Sequence, residues 1–236
     1  MTDEGLKDLA SLKSLHTLDL ASTRVTDEGL KELTKIKSLR SLDLGGTAIT
    51  NKGLKLLATL RDLQSLGLEF TTVTDAGLKE LVGLKSLYSL DLRGMKLTDK
   101  GLIELAGIQS LQSLDLSQTE LTDALLKDLA TLKNLQTLYI WKTRVTDAGL
   151  KNLASFEKLQ SLILARTAVS DAGLKELSNL KSLRLLILSH TQVTDAGLKE
   201  LNNLKTLQSL DLANTKVTTA GVKNLEKALP GCRIAH

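Results

Sequence analysis

The 236-residue chain is 42% hydrophobic but only 2% aromatic, with a single proline, so its core has to be built from aliphatic side chains of nearly one size. Its 31 basic and 27 acidic residues leave a formal charge of +4 without any run of like charge, which argues against an arm or tail for nucleic acid. One cysteine, Cys232, excludes an internal disulfide framework.

The opening residues MTDEGLKDLA have neither a basic leader nor an apolar stretch, and nowhere do about 18 apolar residues run together. The reading is therefore no signal peptide and no membrane partner, with the cytoplasm favoured by the lone cysteine. Residues 2–12 read as a helix-type segment, so the chain begins inside a unit and no polar cap shields its first strand. That edge is a candidate for self-association.

Leu15, Leu39, Leu63, Leu87, Leu111, Leu135, Leu159, Leu183 and Leu207 recur every 24 residues, and each opens the pattern L-x-x-L-x-[LI]-x-x, followed by Thr in every unit but one. Nine such units without insertion, plus a partial unit at each end, predict a single domain over 1–236 in which each unit buries its apolar face against its neighbours. Leu159 to Ser182, LQSLILARTAVSDAGLKELSNLKS, serves as the type unit. Its first residues alternate, Leu162 and Leu164 inward against Ser161, Ile163 and Ala165 outward, which is a short strand. Ser170-Asp171, or Thr-Asp in most units, supplies oxygens for the free N–H groups of a helix start. Leu174, Leu177 and Leu180 then mark one stripe of the helix.

Glycine recurs at Gly5, Gly29, Gly53, Gly77, Gly101, Gly149, Gly173, Gly197 and Gly221, which implies a close approach of the helix start to the strand turn of the next unit. Leu125 breaks that series and predicts a bulge or shift in its helix. The unit ending in Pro230-Gly231 is followed by Ile234, 24 residues after Leu210, where a tenth strand is expected.

Strand, turn and helix in 24 residues resembles the leucine-rich repeat family, over essentially the whole chain. The resemblance implies an α/β right-handed horseshoe, with a parallel sheet on the concave face and helices on the convex face. The V-T-D-x-G-L-K-x-L half looks like bacterial-type repeats and, more distantly, like the cysteine-containing repeats of F-box adaptors. This chain departs from those at the ladder position, which holds Thr23, Thr47, Thr71, Thr119, Thr143, Thr167, Thr191 and Thr215, with Met95 once. The threonine hydroxyl is expected to bond the neighbouring turn. The function expected is that of a non-catalytic scaffold binding a protein partner through the concave sheet, and it rests on the residues that differ between repeats.

Function has to sit where the units differ. The central outward strand column reads Asp19, Asp43, Gly67, Asp91, Asp115, Tyr139, Ile163, Ile187, Asp211. Three consecutive units turn apolar, Trp141 and Ala165 extend the row, and Leu185 replaces a Ser or Thr. Exposed aromatic and aliphatic anchors inside a polar rim are the composition of a protein-binding hot spot. The candidate partner-binding residues are Tyr139, Trp141, Ile163, Leu185 and Ile187, with Arg144, Arg166, His190 and Lys142 at the rim. Phe70 and Tyr88 are two further aromatics on the outward side, whereas Phe156 is assigned to the core.

Other chemistry is weakly supported. The aspartate column could hold a cation or raise a carboxyl pKa, but His16, His190 and His236 are scattered and no ligand spacing occurs, so it reads as a solvated acidic face neutralised by Arg40 and Arg93. The acidic early repeats would steer a partner of complementary charge. Cys232 has no histidine motif beside it, and no glycine-rich nucleotide motif is present. Neither a cofactor nor a metal is called for, and the chain reads as no enzyme. The lysine column on the helices, Lys7 through Lys223, is flanked by an acidic one and reads as a solvated face rather than a nucleic-acid surface. A carbohydrate-binding module would use Tyr139 and Trp141 as stacking platforms. A self-associating solenoid, dimeric or filamentous, is the structural alternative.

Overall fold

The computed structural model describes all 236 residues. Contacts divide them into two compact units, Met1–Asp115 and Leu116–His236. In the first, strands β1 (Thr17–Asp19), β2 (Ser41–Asp43), β3 (Ser65–Gly67), β4 (Ser89–Asp91) and β5 (Ser113–Asp115) pair in parallel in that order. They alternate with helices α1 (Asp3–Leu9), α2 (Asp27–Leu33), α3 (Asn51–Leu57), α4 (Asp75–Leu78) and α5 (Asp99–Leu102). The second repeats the plan with α6 (Asp123–Leu129), β6 (Thr137–Tyr139), α7 (Asp147–Leu150), β7 (Ser161–Ile163), α8 (Asp171–Leu177), β8 (Leu185–Ile187), α9 (Asp195–Leu198), β9 (Ser209–Asp211), α10 (Thr219–Ala228) and β10 (Arg233–Ala235). Strands β6 to β10 are likewise parallel neighbours in chain order, and Ile234 pairs with Leu210 as the spacing requires.

Strict 24-residue register places leucine beside leucine. Leu162, Leu164, Leu186 and Leu188 are completely buried, while Ser161, Ile163 and Leu185 remain half-exposed on the other side of the sheet. Each fully buried leucine contributes roughly 1.5–3 kcal/mol, which a three-residue strand could not supply from its backbone bonds alone. Leu174 and Leu177 lie on α8, but Leu180 lies in the turn beyond it, buried all the same.

Helix starts are joined by a carboxylate ladder. The carboxylate of Asp171 accepts bonds from the N–H of Thr194 at 2.8 Å and from its hydroxyl at 2.6 Å, 23 residues on. The same pair of bonds ties Asp3 to Thr26, Asp27 to Thr50, Asp75 to Thr98, Asp123 to Thr146, Asp147 to Ser170 and Asp195 to Thr218. Asn51 preserves it with one role reversed, since its amide nitrogen donates to the Thr74 hydroxyl. The Thr218 hydroxyl and N–H hold the Asp195 carboxyl below the ordinary carboxylate range. At Thr26, Thr50, Thr146, Ser170 and Thr194 the same side-chain oxygen also caps its own helix.

This ladder explains the recurring glycine, and corrects the expected partner. A Cβ on Gly173 or Gly197 would strike the aspartate of the preceding helix start, Asp147 or Asp171, rather than a strand turn of the next unit. The expected bulge at Leu125 is absent too: α6 runs seven regular residues with Leu125 completely buried.

The ladder threonines also behave differently from expectation. Each hydroxyl donates to the carbonyl three residues earlier in its own turn, as Thr47 to Leu44, Thr167 to Leu164 and Thr191 to Leu188, at 2.5 to 2.7 Å. The single hydroxyl proton is thus committed to a carbonyl of its own turn and is not donated to the neighbouring one. Met95, buried, simply fills the position.

Candidate binding surface

Tyr139, Ile163 and Ile187 occupy one row because β6, β7 and β8 pair in register, Tyr139 opposite Ile163 and Ile163 opposite Ile187. Strand spacing of about 4.8 Å makes this row roughly 10 Å long. Leu185 stands opposite Ser161 in the next row. Trp141 lies two residues past Tyr139, and Ala165 and Ser189 hold the matching places in the next repeats. Tyr139, Trp141, Ile163, Leu185 and Ile187 are all half-buried.

In other repeats the central column does a different job. Oδ1 of Asp19, Asp43, Asp91 and Asp211 accepts the N–H two residues on, at 2.9 Å, closing the turn at the strand end. Tyr139, Ile163 and Ile187 give up that closure. Aspartate is thus the structurally favoured residue here, and its replacement in three successive strands marks the apolar row as a departure with a cost.

The rim is built by the turns. One residue in each repeat adopts φ between 53° and 69°: Ser22, Gly46, Phe70, Gly94, Gln118, Lys142, Arg166, His190 and Asn214. This left-handed position was not read from the sequence, although glycine at two of the nine and Asn, Ser and His at others were a signal for it. It turns three expected site residues, Phe70, Arg166 and His190, together with Lys142, into equivalent members of one column. Lys142, Arg166 and His190 are exposed, and their N–H groups bond Ala165, Ser189 and Ala213 at 2.8 to 3.0 Å, continuing the pairing past the strands. Arg144 is also exposed but is ion-paired with Glu120. His190 Nε2 lies 3.3 Å from Asn214 Nδ2.

Phe70 and Tyr88 belong to the first unit and are 55% and 42% exposed. The Phe70 ring lies against Gly94, where an added Cβ would come within 2.9 Å of Cζ, and walls a cavity of about 400 Å³ with Thr72 and Lys96. Phe156, completely buried, is the core aromatic.

The acidic side of the first unit is held differently from expectation. Arg93 pairs with Asp91 at 3.3 Å and Glu69 at 3.9 Å, but Arg40 turns to Asp62 at 3.4 Å instead of the aspartate column. At Gly67, which interrupts the column, the Asp43 carboxylate and Glu69 lie in the space a side chain would fill. Burial pushes the Asp91 carboxyl up to about 6, with Asp115 and Glu69 adding to the rise against the opposing Arg93 N–H and guanidinium. The folded state therefore holds a proton on Asp91 more tightly than the unfolded chain, and stability falls as pH rises from about 4 to about 6. Asp91→Asn keeps the acceptor for Arg93 N–H, so it should raise stability at pH 7.5 by about 1 kcal/mol, discounted for partial exposure, and lose that advantage near pH 4. Urea unfolding at the two pH values checks this. No three His, Cys, Asp or Glu side chains converge as metal ligands. Burial pushes the Cys232 thiol up, away from the thiolate a nucleophile needs. No helix is long and apolar enough to cross a membrane.

Parallel strand-turn-helix repeats paired in register within each unit, with threonine-closed turns, define an α/β leucine-rich repeat architecture. The model of a leucine-rich repeat region matches residues 72–230, and a second leucine-rich repeat model matches 11–33 and 35–58. The chain belongs to the leucine-rich repeat family, whose fold commonly serves as a scaffold for protein interactions. Among solved structures it is similar to internalin C2 of Listeria monocytogenes, at 28% identity and a TM-score of 0.64 over 87% of this chain and 84% of that one. An internalin, inlF, of the same organism shares the fold at 22% identity and TM-score 0.62 over 97% of this chain and 76% of that one. So does a leucine-rich repeat protein of Leptospira interrogans, at 22% identity and TM-score 0.59 over 98% and 74%. No curated protein sequence matches the chain.

Proposed function

We propose that the protein is a non-catalytic scaffold that binds a protein partner through the sheet face of its second unit. The observation that carries this reading is the register-aligned row Tyr139, Ile163 and Ile187, flanked by Trp141 and Leu185, where turn-closing aspartate gives way in three successive strands. Half-buried aromatics lose little side-chain freedom on binding and supply large apolar area, the properties of hot-spot anchors. Arg144, Arg166 and His190 form the rim that fixes register, and Phe70 and Tyr88 offer further contacts on the first unit.

The test compares proteins captured by the intact chain with those captured by Tyr139→Ser/Trp141→Ser/Ile187→Asp, after circular dichroism shows that the variant is folded. A specific partner bound by the first should be lost by the second, a drop of more than 100-fold in affinity for a hot spot of this size. If both capture the same proteins, the sheet face is not the site. Size that rises with protein concentration and persists in the triple variant would favour self-association.

A further inference from the structure

We infer that the second unit is shaped to receive an acidic amphipathic helix lying across its strands, with an apolar stripe on the Tyr139/Ile163/Ile187 row and carboxylates against Lys142 and Arg166. The inference rests on the sheet-face reading above and adds the chemistry and conformation of the partner segment.

Two columns change together in the same three repeats. Where aspartate becomes Tyr139, Ile163 and Ile187, the left-handed turn residue becomes Lys142, Arg166 and His190. Elsewhere that column is Ser22, Gly46, Phe70, Gly94, Gln118 and Asn214, none of them basic. Glycine is accepted there, so bulky cations are held at positive φ where they cost about 1 kcal/mol more than glycine would. Arg144 has its carboxylate in Glu120, whereas Lys142 and Arg166 enter no ion pair. They stand exposed at the C-terminal ends of β6 and β7, beside the apolar row, ready for an external anion.

Spacing selects the conformation of that partner. Both columns repeat at the strand separation of about 4.8 Å. Residues three and four apart on a helix advance about 4.5 and 6 Å, so positions i, i+3 and i+7 cover three rows in about 10 Å. An extended segment presents same-side residues about 6.7 Å apart and would meet the second row out of step. One helix can therefore lay an apolar stripe on the row and a parallel acidic stripe on the cations. Two exposed rim pairs give modest affinity but strong preference between like and opposite charge.

The probe is an 18-residue, end-blocked, tryptophan-free peptide with Leu at i, i+3 and i+7 and Glu one place after each, so that Trp141, the one tryptophan of the chain, reports binding by its emission. Controls replace every Glu by Lys, or redistribute the same residues with period two. The Glu helix should shift Trp141 emission and bind at least tenfold more tightly than either control at low salt, and Lys142→Glu/Arg166→Glu should reverse the charge preference. Equal binding of the Glu and Lys peptides, tighter binding of the period-two peptide, or unchanged emission with all three would overturn the inference. The sheet-face reading itself would fall only if the triple variant of Tyr139, Trp141 and Ile187 captured the same proteins as the intact chain.

Discussion

Gly197→Ala should destabilise the protein by about 3 kcal/mol, while the same change at the equivalent Gly5 should stabilise it by roughly 0.5–1 kcal/mol. Both glycines are the third residue of a helix, α9 and α1, and in an isolated helix alanine would be the better residue at either. The difference is what a Cβ meets. At Gly197 it would lie against Oδ1 of Asp171, 2.9 Å from Cγ and 3.0 Å from Cα. That aspartate cannot swing away without releasing the N–H and hydroxyl of Thr194, the residue that caps α9. The backbone has to give, or two hydrogen bonds at a helix start are lost. At Gly5 a Cβ meets only Met1 Cγ at 3.5 Å, an ordinary contact. Thermal or urea unfolding of the two variants decides the point. Stabilisation by alanine at both positions would mean that helix propensity, not the aspartate ladder, governs this position.

The ladder also shows why part of the molecule was legible in the sequence and part was not. Leucine spacing encodes a local alternation and a global register at once, so the strands, their order and the parity of Tyr139 and Trp141 follow from reading 24 residues nine times. Asp171 carries no such double signature. Next to Ser170 it reads as part of a helix cap, and that role is chemically sound, yet its carboxylate is committed to Thr194 in the following repeat. Only pairing the aspartate column with the glycine column 26 residues later, as Asp171 with Gly197, could have exposed the contact. The left-handed turn column was hidden for a related reason. Its glycines suit positive φ, but Phe70, Lys142 and Arg166 share the position and mask the pattern. The conformational signal is obscured there, because a positive φ is held by side chains as different as Phe70, Lys142 and Arg166 instead of by the glycine the backbone favours.

Phe156→Ala should cost about 3–5 kcal/mol, whereas Phe156→Leu should cost about 1 kcal/mol. The ring is completely buried and occupies the column held elsewhere by Leu60, Leu84, Ile108, Leu132, Leu180 and Leu204. Its backbone is that of its counterparts: φ −90° and ψ 66°, against −83° and 64° at Leu204 and −83° and 78° at Leu84. Leucine therefore fits the turn without rearrangement and leaves only a small deficit in volume. Alanine leaves a cavity, and the carbonyl of Phe156 accepts the N–H of Leu159, three residues before Leu162 anchors β7 in the core. Loosening that turn loosens the strand that carries Ile163, the middle of the apolar row. Unfolding measurements should thus rank alanine well below leucine, and binding at the sheet face should weaken with alanine alone. If leucine costs as much as alanine, this repeat has become packed around an aromatic ring, and the interchangeability of leucine and phenylalanine in the column fails at this position.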